Sequence, residues 1–185
     1  MITVAVAGAT GAQGGAAARA LLAAGHPVRA LTRDPAGPAA AALRDLGADV
    51  RRADFDERDS LDAALAGAGG LFAVTTPFGT DLAAEVRQGR ALIDAASAAG
   101  VGHVVLTSAA HADRGTGVPH YESKHLVERH LRHTGSERAS ELLAAWERER
   151  RAFWLVQPRA EVARLESAAE GTEAAGEEAT EAAEA

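Results

Sequence analysis

The sequence predicts an α/β fold, a doubly wound parallel sheet with helices on both faces. Three observations carry that prediction. Short apolar runs alternate with longer helical stretches from residue 2 to about residue 107, and brief connections between such elements imply a parallel sheet covered on both sides. The first apolar run opens directly onto a glycine-rich turn, Gly8-Ala9-Thr10-Gly11-Ala12-Gln13-Gly14. Glycine follows most of the helical stretches, at Gly25, Gly47, Gly67 and Gly100, where a left-handed C-terminal cap belongs.

The elements follow in order. Thr3–Ala7 reads as a strand, the turn comes next, and an alanine-rich helix over Gln13–Ala24 completes the order that a dinucleotide-binding βαβ unit requires. Gly8 lets the chain turn sharply, and Gly11 lets backbone approach a pyrophosphate with no Cβ in the way. Gly14 lets the helix pack close to the sheet, while the helix N-terminus offers free N–H groups and a positive dipole end. Further strands are expected at Val28–Thr32, Asp49–Ala53, Leu71–Thr75 and His103–Thr107, with helices at Ala39–Leu46, Ser60–Ala66 and Asp81–Ala99 between them. Asp34-Pro35, Asp59-Ser60 and Thr80-Asp81 supply helix starts. Right-handed crossovers then place ligands at the carboxyl ends of the strands.

Past the fifth strand, a polar loop from Ser108 to His120 leads into a helix over about Tyr121–His133, ended by Gly135. Ser136–Arg151 reads as a highly charged helix with Leu142, Leu143 and Trp146 on one side. Phe153–Pro158 is a short apolar run ended by proline, either a sixth strand or a hydrophobic stretch with no sheet to join. Three regions result: a nucleotide-binding domain over 1–135, an irregular helical extension over 136–165, and an acidic tail over 166–185.

The 185 residues suffice for one domain with a sizeable core. Its apolar side chains are mostly alanine and only 4% of residues are aromatic, so the core depends on close packing of elements. Cysteine is absent, which excludes disulfides and thiolate chemistry. The formal charge of −7 resides in the tail, where Glu166, Glu170, Glu173, Glu177, Glu178, Glu181 and Glu184 meet no Lys or Arg. The body is therefore neutral, with no basic face suited to nucleic acid, and the tail is expected to be disordered. The N-terminus lacks the layout of a signal peptide, and no long apolar stretch spans a membrane. A cytoplasmic location is the plain expectation.

The strand ends hold the candidate chemistry. The second strand ends Leu31-Thr32-Arg33-Asp34. A hydroxyl and a guanidinium stand where an acidic residue would hold the ribose 2′-hydroxyl of NAD, and they suit a 2′-phosphate. Arg33 is otherwise a solvated arginine beside Asp34, and a slight shift would turn the Asp34 carboxylate toward the ribose. After the third strand, Asp54 either accepts from an adenine amino group with Phe55 covering the base, or merely starts the loop. Thr75, Thr76 and Pro77 offer hydroxyls and a rigid turn that could line the nicotinamide ribose. Seven histidines invite a metal reading, yet His125, His130 and His133 lie on a charged helix without a ligand set. No metal is expected.

Taken together, GATGAQGG, ALTRDP, ADFD, GLFAVTTP, HVVLTSAAHAD and HYESK, in that order, resemble the NmrA-like family. Its members are atypical short-chain dehydrogenase/reductase proteins, some similar to NAD(P)H-dependent quinone reductases and others to redox-sensing regulators. The resemblance covers about residues 1–135. It implies an NADP-preferring Rossmann domain, with the cofactor contacts Gly8, Ala9, Thr10, Gly11, Ala12, Gln13, Arg33 and the loop after strand four. Such enzymes use a Tyr-x-x-x-Lys pair, but Tyr121 and Lys124 are only three apart. Lys124 matches the ribose-binding lysine, and His120 stands where the tyrosine acid would be; a helix that has begun by then puts both on one face. His120 is then a candidate proton donor, or an ordinary loop residue after Pro119. Ser108 sits where a substrate-side hydroxyl is kept.

After Gly135 the likeness fades, and the abrupt change suggests a truncated, fused or frame-shifted gene end. The resemblance implies an NADPH-dependent oxidoreductase acting on a quinone or small carbonyl compound. The alternatives are a non-catalytic NADP-binding redox-sensing module and a truncated product with cofactor binding only.

Overall fold

The computed structural model describes residues 1–76, 81–115 and 117–134. The expected helix at Ser136–Arg151, the strand question at Phe153–Pro158, the acidic tail and Pro77 lie outside the described residues. The elements run β1 (Val4–Val6), α1 (Ala12–Ala23), β2 (Val28–Thr32), α2 (Pro38–Asp45), β3 (Asp49–Arg52), α3 (Arg58–Leu65), β4 (Gly70–Ala73), α4 (Leu82–Ala98), β5 (His103–Leu106), a short 3-10 turn (Ala112–Arg114) and α5 (Pro119–His133). All five expected strands form, most of them a residue or two shorter than predicted. They pair in parallel in the order β3-β2-β1-β4-β5, a Rossmann-like sheet whose direction of winding reverses between β1 and β4.

Alternation along each strand divides the core into two layers. Ala5 of β1 and Ala7 just beyond it, Leu31 of β2 and Leu71 and Ala73 of β4 face α3 and α4, joining Leu61, Leu65, Leu92 and Ala96. Val6, Val28 and Ala30 point the other way, toward Ala18 of α1 and Leu43 of α2. Small side chains on β1 allow helices to seat closely on both faces. β3 forms one edge of the sheet and is guarded by charge: Arg29 and Arg51 both pair with Asp49, at 3.2 and 2.8 Å, and Arg52 pairs with Glu57 at 2.7 Å.

Helix ends follow the sequence reading better than helix starts. Gly25, Gly47, Gly67 and Gly100 all take positive φ. At α1 the N–H of His26 reaches the Leu21 carbonyl and that of Gly25 reaches Leu22, both at 2.9 Å, a Schellman closure. Among the starts, Asp81 caps α4 by accepting from the Ala84 N–H at 2.5 Å. The other two expected starts are displaced. α2 begins at Pro38 after Gly37, because the Asp34 carboxylate closes its own turn onto the Ala36 N–H at 3.1 Å. α3 begins at Arg58 after Glu57, and Ser60 turns its hydroxyl to the Asp54 N–H at 2.9 Å. α5 also starts earlier than expected, since Pro119 is itself well suited to the first turn. His120 is therefore helical. Among the described residues no helix is long and apolar enough to cross a membrane.

Candidate dinucleotide site

The carboxyl ends of all five strands open onto one cleft of about 830 Å³, where an open α/β sheet is expected to take its ligand. The turn after β1 and the start of α1 contribute Gly8, Thr10, Gly11, Ala12, Gln13 and Gly14. The connections after β2, β3, β4 and β5 contribute Thr32 and Arg33, Asp54 and Phe55, Thr75 and Thr76, and Thr107 and Ser108. His120 and Lys124 close the far end from α5. One expected contact is absent from this lining. Ala9 is buried within the α1-side core, and its N–H is taken by the Leu31 carbonyl at 3.3 Å.

The glycines of the turn divide their work. Gly8 holds φ at +63°, a conformation that a side chain disfavours. At Gly14 a Cβ would stand 2.3 Å from the Gly8 carbonyl oxygen and 2.7 Å from that of Ala7, so α1 sits as near β1 as backbone permits. Gly11, the N-cap of α1, is different: a Cβ there would meet only the Gly8 oxygen, at 3.3 Å. No side chain caps α1, and the N–H groups of Ala12, Gln13 and Gly14 bond nothing among the described residues. Uncommitted donors at the positive end of a 12-residue helix suit a pyrophosphate.

At the end of β2, Arg33 is exposed and makes no hydrogen bond among the described residues. The Asp34 carboxylate is spent on its turn, not on Arg33. The Thr32 hydroxyl accepts from the Asp34 N–H at 3.2 Å and lies 3.5 Å from Thr10 Oγ1, tying the first two loops together. Asp54 does serve its loop, accepting from the Asp56 N–H at 3.1 Å, while Phe55 packs its ring against the core edge. Asp56 joins this loop to α4 by accepting from Gln88 Nε2 at 2.7 Å and from Arg87 at 3.2 Å. Those hydrogen bonds, led by Gln88 and aided by the charges of Arg87 and Arg33, hold its carboxyl below the usual aspartate range.

The opposite end of the cleft is built around Lys124. Because α5 includes both residues, His120 and Lys124 fall one turn apart on one face, and the His120 ring stands edge-on to Tyr121 at 4.7 Å between centroids. Lys124 Nζ donates to the Thr75 carbonyl, to Thr75 Oγ1 at 2.9 Å, and to Glu85 Oε1 at 2.9 Å. Glu85 and Gln88 were not singled out from the sequence. The available signal for Glu85 was its place on the interior stripe of α4, in line with Gly89, Leu92 and Ala96.

The sequence profile of the NmrA-like family matches residues 2–145. Among curated proteins, the NmrA-like family domain-containing oxidoreductase hkm9 of Aspergillus hancockii is 38% identical over 154 residues, covering 75% of this chain and 44% of that protein. The chain thus spans less than half the length of that relative. Among solved structures, the Escherichia coli NADPH-dependent quinone oxidoreductase QOR2 in complex with NADPH aligns with a TM-score of 0.61 at 31% identity, over 73% of this chain and 46% of the other. The negative transcriptional regulator NmrA in complex with NADP aligns at 0.60 and 31% identity, over 72% and 42%, and that regulator is also known in complex with NAD. With the five-stranded order, the glycine turn and the cleft in agreement with these matches, the chain belongs to the NmrA-like family.

Proposed function

We propose that this chain binds NADPH in preference to NADH and acts as an oxidoreductase on a quinone or small carbonyl compound. The observation that carries the reading is the convergence of three features on one cleft: the uncapped start of α1, the exposed guanidinium of Arg33, and Lys124 with His120 at the far end. The pyrophosphate would lie against the N–H groups of Ala12, Gln13 and Gly14, where Gly11 presents no side chain. Arg33, beside Thr32, would grip the 2′-phosphate with paired hydrogen bonds. Asp54 has its second carboxylate oxygen for the adenine amino group, and Phe55 borders the base. Thr75, Thr76 and Lys124 would surround the nicotinamide ribose; Pro77, next in sequence, lies outside the described residues.

The bound cofactor would supply a hydride. The chain's own part is to orient the acceptor and provide a proton: Ser108 would hold the acceptor oxygen, and His120, exposed at the cleft, would deliver the proton to it. The test is steady-state NADPH oxidation against a panel of quinones and aldehydes, alongside nucleotide titration followed by melting temperature. Turnover supports the oxidoreductase. A second reading, a non-catalytic module that senses redox state through a partner, is favoured by the likeness to the NmrA regulator. It predicts a nucleotide-induced rise in melting temperature without turnover. Absence of both would leave a product with neither activity.

A further inference from the structure

The interior face of α4 carries Glu85, Gly89, Leu92, Ile93 and Ala96, and all but the first suit an apolar surface. Glu85 is 0% exposed. Burying a carboxylate is costly unless partners replace its water, and here two of its partners, Thr75 and Lys124, line the cleft, while the third, Ser123, neighbours Lys124 on α5. Thr75 Oγ1 donates to Oε1 at 3.0 Å, Ser123 Oγ donates to Oε2 at 2.5 Å, and Lys124 Nζ stands 2.9 Å from Oε1. The close seating of α5 on α4 that allows this depends on Gly89, where a Cβ would lie 2.7 Å from the Val127 side chain and 3.3 Å from that of Thr75.

The donor arithmetic at Lys124 is restrictive. An ammonium has three N–H groups, and these are taken by Glu85, the Thr75 hydroxyl and the Thr75 carbonyl. None remains for a ribose hydroxyl. A nucleotide that engages Lys124 must therefore replace one of the three acceptors. Withdrawal from Glu85 would strand a buried charge, whereas Thr75 offers two neutral acceptors whose release costs less.

We propose that Glu85 is a positioning residue: it retains the Lys124 ammonium at the nicotinamide end while a Thr75 contact is exchanged for the ribose hydroxyls. This rests on the reading that Lys124 faces the nicotinamide ribose. Ser123 supports the arrangement by fixing the second oxygen, and hence the plane, of the carboxylate.

The experiment compares two ligands on the full chain by calorimetry: NADP⁺, and adenosine 2′,5′-bisphosphate, which lacks the nicotinamide mononucleotide half. Glu85→Gln should weaken NADP⁺ by about tenfold, the scale of a hydrogen bond to a charged group, and leave the bisphosphate unchanged. In a Lys124→Met background the same substitution should add no further loss, because its effect acts through the lysine. Equal weakening of both ligands, or an undiminished loss in the Lys124→Met background, would overturn the proposal and make Glu85 a brace of the α4–α5 packing. If Lys124→Met alone leaves NADP⁺ affinity intact, the assignment of the nicotinamide end fails instead, and the two failures are told apart. Should Glu85→Gln not fold, Ser123→Ala carries the test, with a loss of about threefold for NADP⁺ only; unchanged NADP⁺ affinity there would equally overturn it.

Discussion

Gly14 and Gly11 belong to one turn, yet the structure assigns them opposite responses to a methyl group. At Gly14 an added Cβ meets the Gly8 carbonyl oxygen at 2.3 Å, its carbon at 2.6 Å and the Ala7 oxygen at 2.7 Å. Ordinary contact begins about 1 Å farther out, and these are backbone atoms that have no rotamer to adopt. Either α1 lifts from the sheet or the turn opens, and overpacking of this kind costs about 1–3 kcal/mol, occasionally more. Three backbone clashes in one place justify the upper end of that range. The gain of alanine over glycine within a helix returns about 1 kcal/mol. Gly14→Ala should thus lose about 2 kcal/mol net, which lowers Tm by roughly 4–8 °C for a chain of this size. Gly11 has φ near −90°, open to any residue, and its Cβ meets a single oxygen at 3.3 Å. Gly11→Ala should melt within about 2 °C of the parent but lose most of the stabilisation that added NADPH confers. Thermal melts by circular dichroism, with and without nucleotide, read both effects. A Gly14→Ala protein as stable as the parent would refute the seating of α1 on β1, and unimpaired nucleotide response in Gly11→Ala would make that glycine structural only.

Arg33→Ala should weaken NADPH by about 1.5–3 kcal/mol, the range for hydrogen bonds to charged groups, and leave NADH nearly unchanged; equal losses in calorimetry would remove the 2′-phosphate assignment. Lys124→Met is expected to impair cofactor binding and turnover together, whereas His120→Ala lowers turnover with cofactor affinity kept; full activity in the histidine variant would show that no protein acid assists. Asp56→Asn is expected to cost under about 1 kcal/mol at neutral pH, since the pair with Arg87 is solvent-screened. Because folding depresses the Asp56 pKa, this contribution is complete above the ordinary aspartate range and disappears as pH falls through the lower folded value; a difference between variant and parent that grows on acidification would contradict the sign.

The alternation of strands and helices was legible because parallel strands buried on both faces leave continuous apolar runs, as in Leu71–Val74, and because glycines mark the helix ends. Helix starts were harder. An aspartate before a helix can cap it, as Asp81 does, or close its own turn, as Asp34 does, and the two look alike in sequence. Ala9 sits between motif residues, but its side chain turns to the core; motif membership fixes a backbone path, not the direction of each side chain. The pairing of Glu85 with Ser123 links residues 38 apart along the chain. Only the docking of α5 on α4 creates it, so no local pattern announces the buried carboxylate, whereas the turn and Arg33 lie beside their strands and were visible there.

The short strand β1 has a consequence for which changes of length this chain can absorb. Its Ala5, and Ala7 just past its end, enter one core layer and Val6 the other, with Val4 held opposite Val28 on one side and Gly70 on the other. Gly8 follows at once. Inserting or deleting one residue here would exchange the two layers' side chains and rotate the glycine turn to the wrong face in the same stroke. Evolution can therefore alter this segment by substitution but not by indel, and the geometry that meets a phosphate is inherited together with the geometry that holds the sheet.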